Sequence, residues 1–286
     1  MIPGPAAAAS ALPIDLVASD LDGTFLGTGG AVSALNAHAV RRAAELGLRV
    51  VFATGRPYRW LQPLDAVREA DPLVIASNGA VVLDLGTRRV LDTYPLPESA
   101  TIGVAADLSA ALPGLGFAVE YDAGGWGRTP AYPIRGDLVP QDVLAESVEA
   151  LVSAQAPLKL LVHCPTLPTE ELARRAAPIV AGRLSWSFSI VQPDGILELC
   201  APGVDKASTL RGLLTRFGIG AQRVAAFGDM PNDLPLLRLA GHPYVMADAH
   251  PSLLGEGFAV AGDHNRSGFG RTLLALLGEP VTATVE

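Results

Sequence analysis

Three features of the sequence predict an α/β fold, a doubly wound and mostly parallel sheet interrupted by an inserted α+β region. Short apolar runs alternate with segments of helical spacing from Leu16 to Val81. The alternation returns from Val224 toward the C-terminus. Between these halves it gives way to hairpin-like, strand-rich texture. Short buried strands separated by helices are the pattern of a parallel sheet, because crossover helices cover its faces.

Residues 1–13 are Ala/Pro-rich, with neither a basic flank nor a long apolar core, and are expected to form a loose tail and not a signal peptide. Residues 16–19 read as the first strand and 33–46 as a helix, with Gly47 just beyond its end. Residues 49–53 form the second strand, which ends in Thr54-Gly55-Arg56 before Pro57, a residue suited to a first helical turn. The third strand, 73–76, is closed by Ser77-Asn78-Gly79. Residues 83–91 read as a hairpin turning at Gly86.

A helix over 98–112, a strand over 117–121 and a Gly-rich loop over 123–127 come next. They are followed by a helix over 141–154, a strand over 158–164, a helix over 170–180 and strands over 184–191 and 195–200. The first texture resumes with a strand at 224–227 and a helix at 234–239. Short strands at 244–247 and 258–261 and a helix at 268–277 close the chain. The expected organisation is a core domain of 14–83 plus 196–286 and an inserted domain of 84–195, without internal repeats.

At 286 residues, 49% hydrophobic and 17% charged, the chain has room for two domains and a large core, which excludes a disordered protein. A formal net charge of −8 argues against nucleic acid as partner and requires a local positive site for any anionic substrate. No uninterrupted apolar window of about 18 residues occurs, so no membrane span is expected. Cys164 and Cys200, each in an apolar strand-like run, form neither a disulfide framework nor a zinc pattern; a reducing cytoplasm fits them.

The chemistry concentrates at strand ends. Asp20-Leu21-Asp22-Gly23-Thr24 places two carboxylates just after a buried strand. One can attack an electrophile and hold a cation, while the other can exchange a proton with a leaving group and with water. Gly23 permits the sharp turn and Thr24 can orient it. Gly228-Asp229-Met230-Pro231-Asn232-Asp233 follows a later strand, and Lys206 stands at a helix start. In a parallel sheet the C-terminal strand ends share one edge, so these groups can converge. Asp20 and Asp229 supply hard oxygens suited to Mg²⁺, and Asp233 can bind the ion or orient its waters. Lys206 suits phosphate oxygens, and Thr54 can donate to one beside the amides of a helix start. Together they match the needs of phosphoryl transfer.

These elements, in this order and spacing, resemble the haloacid dehalogenase (HAD) superfamily, in its Cof-type IIB branch. Val51-Phe52-Ala53-Thr54-Gly55-Arg56 is similar to that branch's second motif and Ala201-Pro202-Gly203-Val204-Asp205-Lys206 to the stretch ending in its lysine. The resemblance implies a Rossmann-like core with an α+β cap of the C2 type, which closes over the site and chooses the leaving group. It implies Asp20 as nucleophile and Mg²⁺ ligand, and Asp22 as general acid and base whose carbonyl also reaches the metal. Thr54 and Lys206 would hold the phosphoryl group, Asp229 would bind Mg²⁺ and Asp233 would support it. The implied activity is hydrolysis of small phosphorylated metabolites, sugar phosphates above all, through an aspartyl-phosphate. The carboxylate at Asp22 separates the chain from ATPases and dehalogenases of the superfamily.

Gly55, Arg56, Asn78 and Asn232 join Thr54 and Lys206 as candidate substrate-binding residues. Arg56 can equally form a structural ion pair, Asn78 can simply shape its turn, and Thr54 can cap the following helix. Pro231 departs from the small polar residue of many relatives but is tolerated at a helix start. Asn265-Arg266-Ser267-Gly268 resembles a late loop of the branch and is given no chemistry. In the insert, Glu120, Tyr121, Trp126, Arg128, Arg135 and His163 can read the leaving group, but such residues are more often domain core or surface and none is given a site role. Two other functions remain open: a phosphotransferase or mutase, disfavoured by the position of the insert, and a non-catalytic sensor, disfavoured by the complete set of carboxylates. Nothing in the sequence specifies an oligomeric state.

Overall fold

Asp20 owes its position to a strand buried along its whole length. The computed structural model describes residues 12–122, 124–134 and 142–279. Most of the expected tail, Ala123, Arg135 and the start of the helix expected at Gln141 lie outside the described residues.

In chain order the elements are β1 (Leu16–Ser19), α1 (Ala34–Glu45), β2 (Arg49–Ala53), β3 (Leu73–Ala76), β4 (Val81–Asp84) and β5 (Arg89–Thr93). Then come α2 (Glu98–Ala111), β6 (Gly116–Tyr121), β7 (Trp126–Arg128), β8 (Val143–Leu144), α3 (Val148–Ala154), β9 (Pro157–His163), α4 (Thr169–Val180), β10 (Ser185–Ser187) and β11 (Ile196–Cys200). The chain closes with α5 (Lys206–Phe217), β12 (Val224–Gly228), α6 (Leu234–Leu239), β13 (His242–Val245), α7 (Pro251–Leu254), β14 (Ala259–Val260) and α8 (Gly268–Leu276). Two units result, one of Met1–Arg56, Trp60–Leu91 and Lys206–Glu286, the other of Pro57–Arg59 and Asp92–Asp205.

The first unit is an α/β sheet in the order β14-β13-β12-β1-β2-β3-β4-β5. From β14 to β3 its neighbours run parallel, and β4 turns back antiparallel to β3. The C-terminal ends of β12, β1, β2 and β3 therefore lie side by side on one edge. Phe25, just past β1, packs on Phe52 of β2 and edge-on to Phe269 of α8, with ring centroids 4.6 and 5.2 Å away. Phe269 also meets Phe227 of β12 at 4.8 Å, so one aromatic cluster fixes the loop after β1 against the sheet. Helix α1 begins where the Ser33 hydroxyl accepts from the Asn36 amide. Buried Asn36 donates to the Phe25 carbonyl at 2.7 Å and accepts from Gly270 N at 2.9 Å, tying α1, the loop and α8 together.

The second unit is a six-stranded sheet in the order β10-β11-β9-β6-β7-β8. Phe117, Val119, Tyr121, Leu160, Val162, Leu197 and Leu199 point to one face, where residues of α2, α3 and α4 complete a core. Ala118, Leu161 and Ile196 point to the other face and pack with Tyr132 and Trp126. On that face Lys159 is buried between Glu120 at 2.8 Å and Glu198 at 3.0 Å. Burial works against the Lys159 charge, and the two carboxylates more than offset it, raising its pKa.

Several boundaries differ from the sequence expectation. The core unit runs to Leu91 and resumes at Lys206, instead of ending at 83 and resuming at 196. Buried Val81–Leu83 pair with β3 as the core expectation requires, and β5 follows β4 in the same sheet, which carries the first unit on to Leu91. Ile196–Cys200 pair antiparallel with β9 and thus belong to the second. After Pro57 the chain forms two 3₁₀ segments, Tyr58–Trp60 and Gln62–Ala70, and no α-helix. The longer segment is interrupted at Val67, whose φ of −129° is not helical. The helix expected from 141 starts at Val148 because Ser147 caps it, while Val143–Leu144 pair with β7. The strand expected to reach 191 stops at Ser187, and the chain leaves to bond Gln192 to Thr169.

Candidate active site

Two networks, both within the first unit, gather the candidate residues. The first centres on Lys206, the opening residue of α5. Its ammonium is 1% exposed and donates to Asp20 Oδ1 at 2.6 Å and to Asp233 Oδ1 at 2.7 Å. A lysine at a helix N-terminus opposes the helix dipole, and an interior ammonium loses its hydration; both costs demand anions. Burial lowers the Lys206 pKa, but Asp20 and Asp233 outweigh it and the net shift is upward. Asp20 is placed by β1, whose ladder continues as Asp20 N donates to the Phe227 carbonyl at 3.0 Å. Burial pushes its carboxyl well above the ordinary carboxylate range, partly countered by Lys206 and reinforced by the charges of Asp233 and Asp229.

Asp233 is fully buried. Its Oδ2 accepts from the amides of Asp229 and Met230, both at 3.1 Å, so it shapes the turn that carries Asp229. Pro231 opens this turn as its first residue, in keeping with its missing amide hydrogen. Asp229 also accepts from the Thr24 hydroxyl at 3.0 Å. Burial, followed by the Asp233 charge, raises its carboxyl to about 7. Gly23 has a φ of +76°, and a Cβ there would fall on the Asp229 carboxylate, so both conformation and space require glycine.

The second network lies after β2 and β3. Thr54 N donates to the Ile75 carbonyl at 2.8 Å, and the Thr54 carbonyl accepts from Asn78 N at 2.9 Å. The buried Thr54 hydroxyl accepts from Arg56 N at 3.0 Å, which leaves its own hydrogen to donate elsewhere. Gly55 links the two residues. Ser77 and Asn78 both hold positive φ, and buried Asn232 donates to Asn78 Oδ1 at 3.2 Å. Among the described residues Asn232 Oδ1 is buried and has no partner.

Asp22 stands apart from the carboxylate group. Its side chain is 57% exposed and faces Arg56. Arg56 Nε donates to Oδ2 at 2.7 Å and Nη2 to Oδ1 at 2.6 Å, a two-pronged ion pair. Hydrogen bonding to Asp22 raises the Arg56 pKa. Of the two sequence readings of Arg56, the structure displays the ion pair.

The set fits a hard divalent cation. Carboxylate oxygens of Asp20, Asp229 and Asp233 lie within 4.8 Å of one another. Three carboxylates meet the one ammonium of Lys206, and burial raises the pKa values of Asp20 and Asp229; a bound cation would relieve that excess of negative charge. Asp233, with both oxygens already accepting, fits a bracing place better than a direct ligand.

The Thr24 bond to Asp229 is the contact that sequence reasoning missed, although Thr24 itself was legible as a turn residue. The late loop gives a second, more exposed grouping of Asp248, Asp263 and His264, where His264 bonds to Asp248 and Asn265 Oδ1 accepts from Thr28 N at 2.7 Å. Cys164 and Cys200 are free and buried.

Comparison with known proteins identifies the family. The family model for haloacid dehalogenase-like hydrolases matches residues 17–273. A phosphoglycolate phosphatase of Methanothrix thermoacetophila is 38% identical over 95 residues, 29% of this chain and 43% of that protein. The pyridoxal phosphate phosphatase YbhA of Escherichia coli K12 is 23% identical over 262 residues, 87% of this chain and 93% of that protein. The structure of the HAD subclass IIB sugar phosphatase BT4131 superposes with a TM-score of 0.76 at 18% identity, covering 92% of this chain and 99% of that one. The chain is a member of the haloacid dehalogenase-like hydrolase family, and within it a Cof-type phosphatase of phosphoric monoesters.

Proposed function

We propose that this protein is a Mg²⁺-dependent phosphatase that hydrolyses small phosphorylated metabolites, sugar phosphates first among them, through an aspartyl-phosphate on Asp20. The observation that carries the reading is the buried Lys206 ammonium held between Asp20 at 2.6 Å and Asp233 at 2.7 Å, with Asp229 alongside. A nucleophilic carboxylate that must approach an anionic phosphoryl group needs fixed positive charge beside it.

In this reading Asp20 attacks phosphorus with one oxygen. Asp22 gives its proton to the ester oxygen as the bond to the leaving alcohol breaks. It then takes a proton from the water that cleaves the aspartyl-phosphate. Lys206 neutralises the oxygens around phosphorus, and Thr54, Asn78 and Asn232 donate to or orient them. Asp20, Asp229 and the Asp22 carbonyl would hold Mg²⁺, with Asp233 bracing the Asp229 turn. Bound there, Mg²⁺ would offset phosphoryl charge in the transition state.

The substrate class rests on relatives named for pyridoxal phosphate and for sugar phosphates, both small phosphorylated alcohols. The two free buried cysteines fit a reducing cytoplasm, and among the described residues no helix is long and apolar enough to cross a membrane. The test is phosphate release from a panel of phosphorylated metabolites with Mg²⁺ and with EDTA, beside Asp20→Asn. Release that needs the metal and vanishes in the variant is expected. Release that survives in Asp20→Asn overturns the mechanism.

A further inference from the structure

We infer that Arg56 is a positioning residue for Asp22 and not a ligand of the phosphoryl group, an inference that rests on the phosphatase reading above. Both Asp22 oxygens accept from the Arg56 guanidinium, at 2.7 and 2.6 Å. The fork fixes the plane and position of a carboxylate that is otherwise more than half exposed and free to turn about its side-chain bonds. The arginine is itself held. Its amide donates to the Thr54 hydroxyl at 3.0 Å, its carbonyl accepts from Ser77 N at 2.9 Å, and Nη1 donates to the Trp60 carbonyl at 3.2 Å. Its main chain thus belongs to the network that carries Thr54, while its side chain reaches back to the loop after β1. A surface ion pair of two independently mobile side chains would have neither the fork nor the fixed base.

Asp22 must present an oxygen first to the ester oxygen that leaves and later to the attacking water. In the first step one Asp22 oxygen, freed from its prong of the fork and carrying the proton, passes it to the leaving oxygen as that oxygen separates from phosphorus and the Asp20–phosphorus bond forms, while the other oxygen keeps its bond from Arg56. In the second it receives a proton from water as the water oxygen bonds to phosphorus and Asp20 is released. Aim matters in both, and a planar two-pronged donor supplies it where a lysine ammonium would not.

Leaving-group dependence separates positioning from phosphate binding. An alkyl phosphate needs a proton on its departing oxygen, whereas p-nitrophenyl phosphate leaves as a stable phenolate. Arg56→Ala and Arg56→Lys are to be compared with wild type on a hexose phosphate and on p-nitrophenyl phosphate, with inorganic phosphate as inhibitor. We expect kcat/KM for the hexose phosphate to fall about 100-fold in Arg56→Ala. For the aryl ester it should change by less than about threefold, and phosphate inhibition should hold within the same range. Guanidinium added to Arg56→Ala should restore part of the hexose phosphate activity, and lysine should substitute poorly.

Equal losses on both esters with phosphate inhibition weakened about tenfold or more would overturn the inference and make Arg56 a phosphoryl ligand. Unchanged kinetics on both esters would reduce the pair to a surface contact and also overturn it. Wild-type protein that releases phosphate from neither ester would instead refute the phosphatase reading itself.

Discussion

A buried ammonium survives only while its anions stay with it. Lys206 holds Asp20 and Asp233, so Lys206→Met would strand two interior carboxylates and cost about 3–5 kcal/mol, read as a lower urea midpoint at unchanged m-value. Phosphatase activity should vanish with it; a variant as stable as wild type would contradict the burial argument. Gly23→Ala acts by a different route, since its Cβ would displace the Asp229 carboxylate and its φ is strained for any other residue. We expect the Mg²⁺ concentration for half-maximal activity to rise about tenfold or more, measured by metal titration. At this scale the sequence was informative because carboxylates gathered beside buried strands and a lysine at a helix start each need an opposite charge that their own segments do not supply. The fork between Asp22 and Arg56 and the Thr24–Asp229 bond, which spans 205 residues, depend on tertiary geometry that no local pattern encodes.

Elements bounded by local chemistry were legible in full. Strands β1, β2 and β3 and helix α6 lie where apolar runs and turn residues put them, and α1 starts at its Ser33 cap. Elements decided by partners were not. The sheet that recruits Ile196–Cys200 is fixed by pairing with β9, and the sequence alone cannot choose between two apolar sheets. The same holds for Arg89–Leu91, which read as insert but lie in β5 beside β4 in the first sheet. Two stability tests belong here. Ser33→Ala removes the acceptor for Asn36 N and should cost about 1 kcal/mol by chemical denaturation. Lys159→Met leaves Glu120 and Glu198 buried without their cation and should cost about 3–5 kcal/mol, whereas replacing all three by apolar residues should recover most of that loss. An equal loss in the triple variant would show that the trio contributes more than mutual neutralisation.

For the molecule as a whole, the first unit carries its excess of buried negative charge in one place, and pH and metal act on the same groups. Asp229, raised by burial from 3.8 to about 7, holds its proton in the folded state after the unfolded chain has lost it. Between those values the folded form binds more protons, so without metal this contribution to stability is full below 3.8 and fades as pH rises through about 7. Asp20 shifts in the same direction. A divalent cation favours ionised carboxylates, so on the proposed Mg²⁺ site saturating metal should raise Tm more at about pH 8 than at about pH 5.5. Equal increments at both values would show that these carboxyls do not meet the metal.

The order of the sheet also has a consequence for biosynthesis. β1 pairs with β2 almost at once, but its other neighbour is β12, with Leu16 set against Val224. On the ribosome one flank of that apolar strand must wait until most of the chain has been translated, a sticky edge within reach of other nascent chains and a natural client for a holding chaperone. Asp20 likewise precedes by 186 residues the lysine that balances its charge, so the buried ion pair closes only when the second half of the sheet arrives.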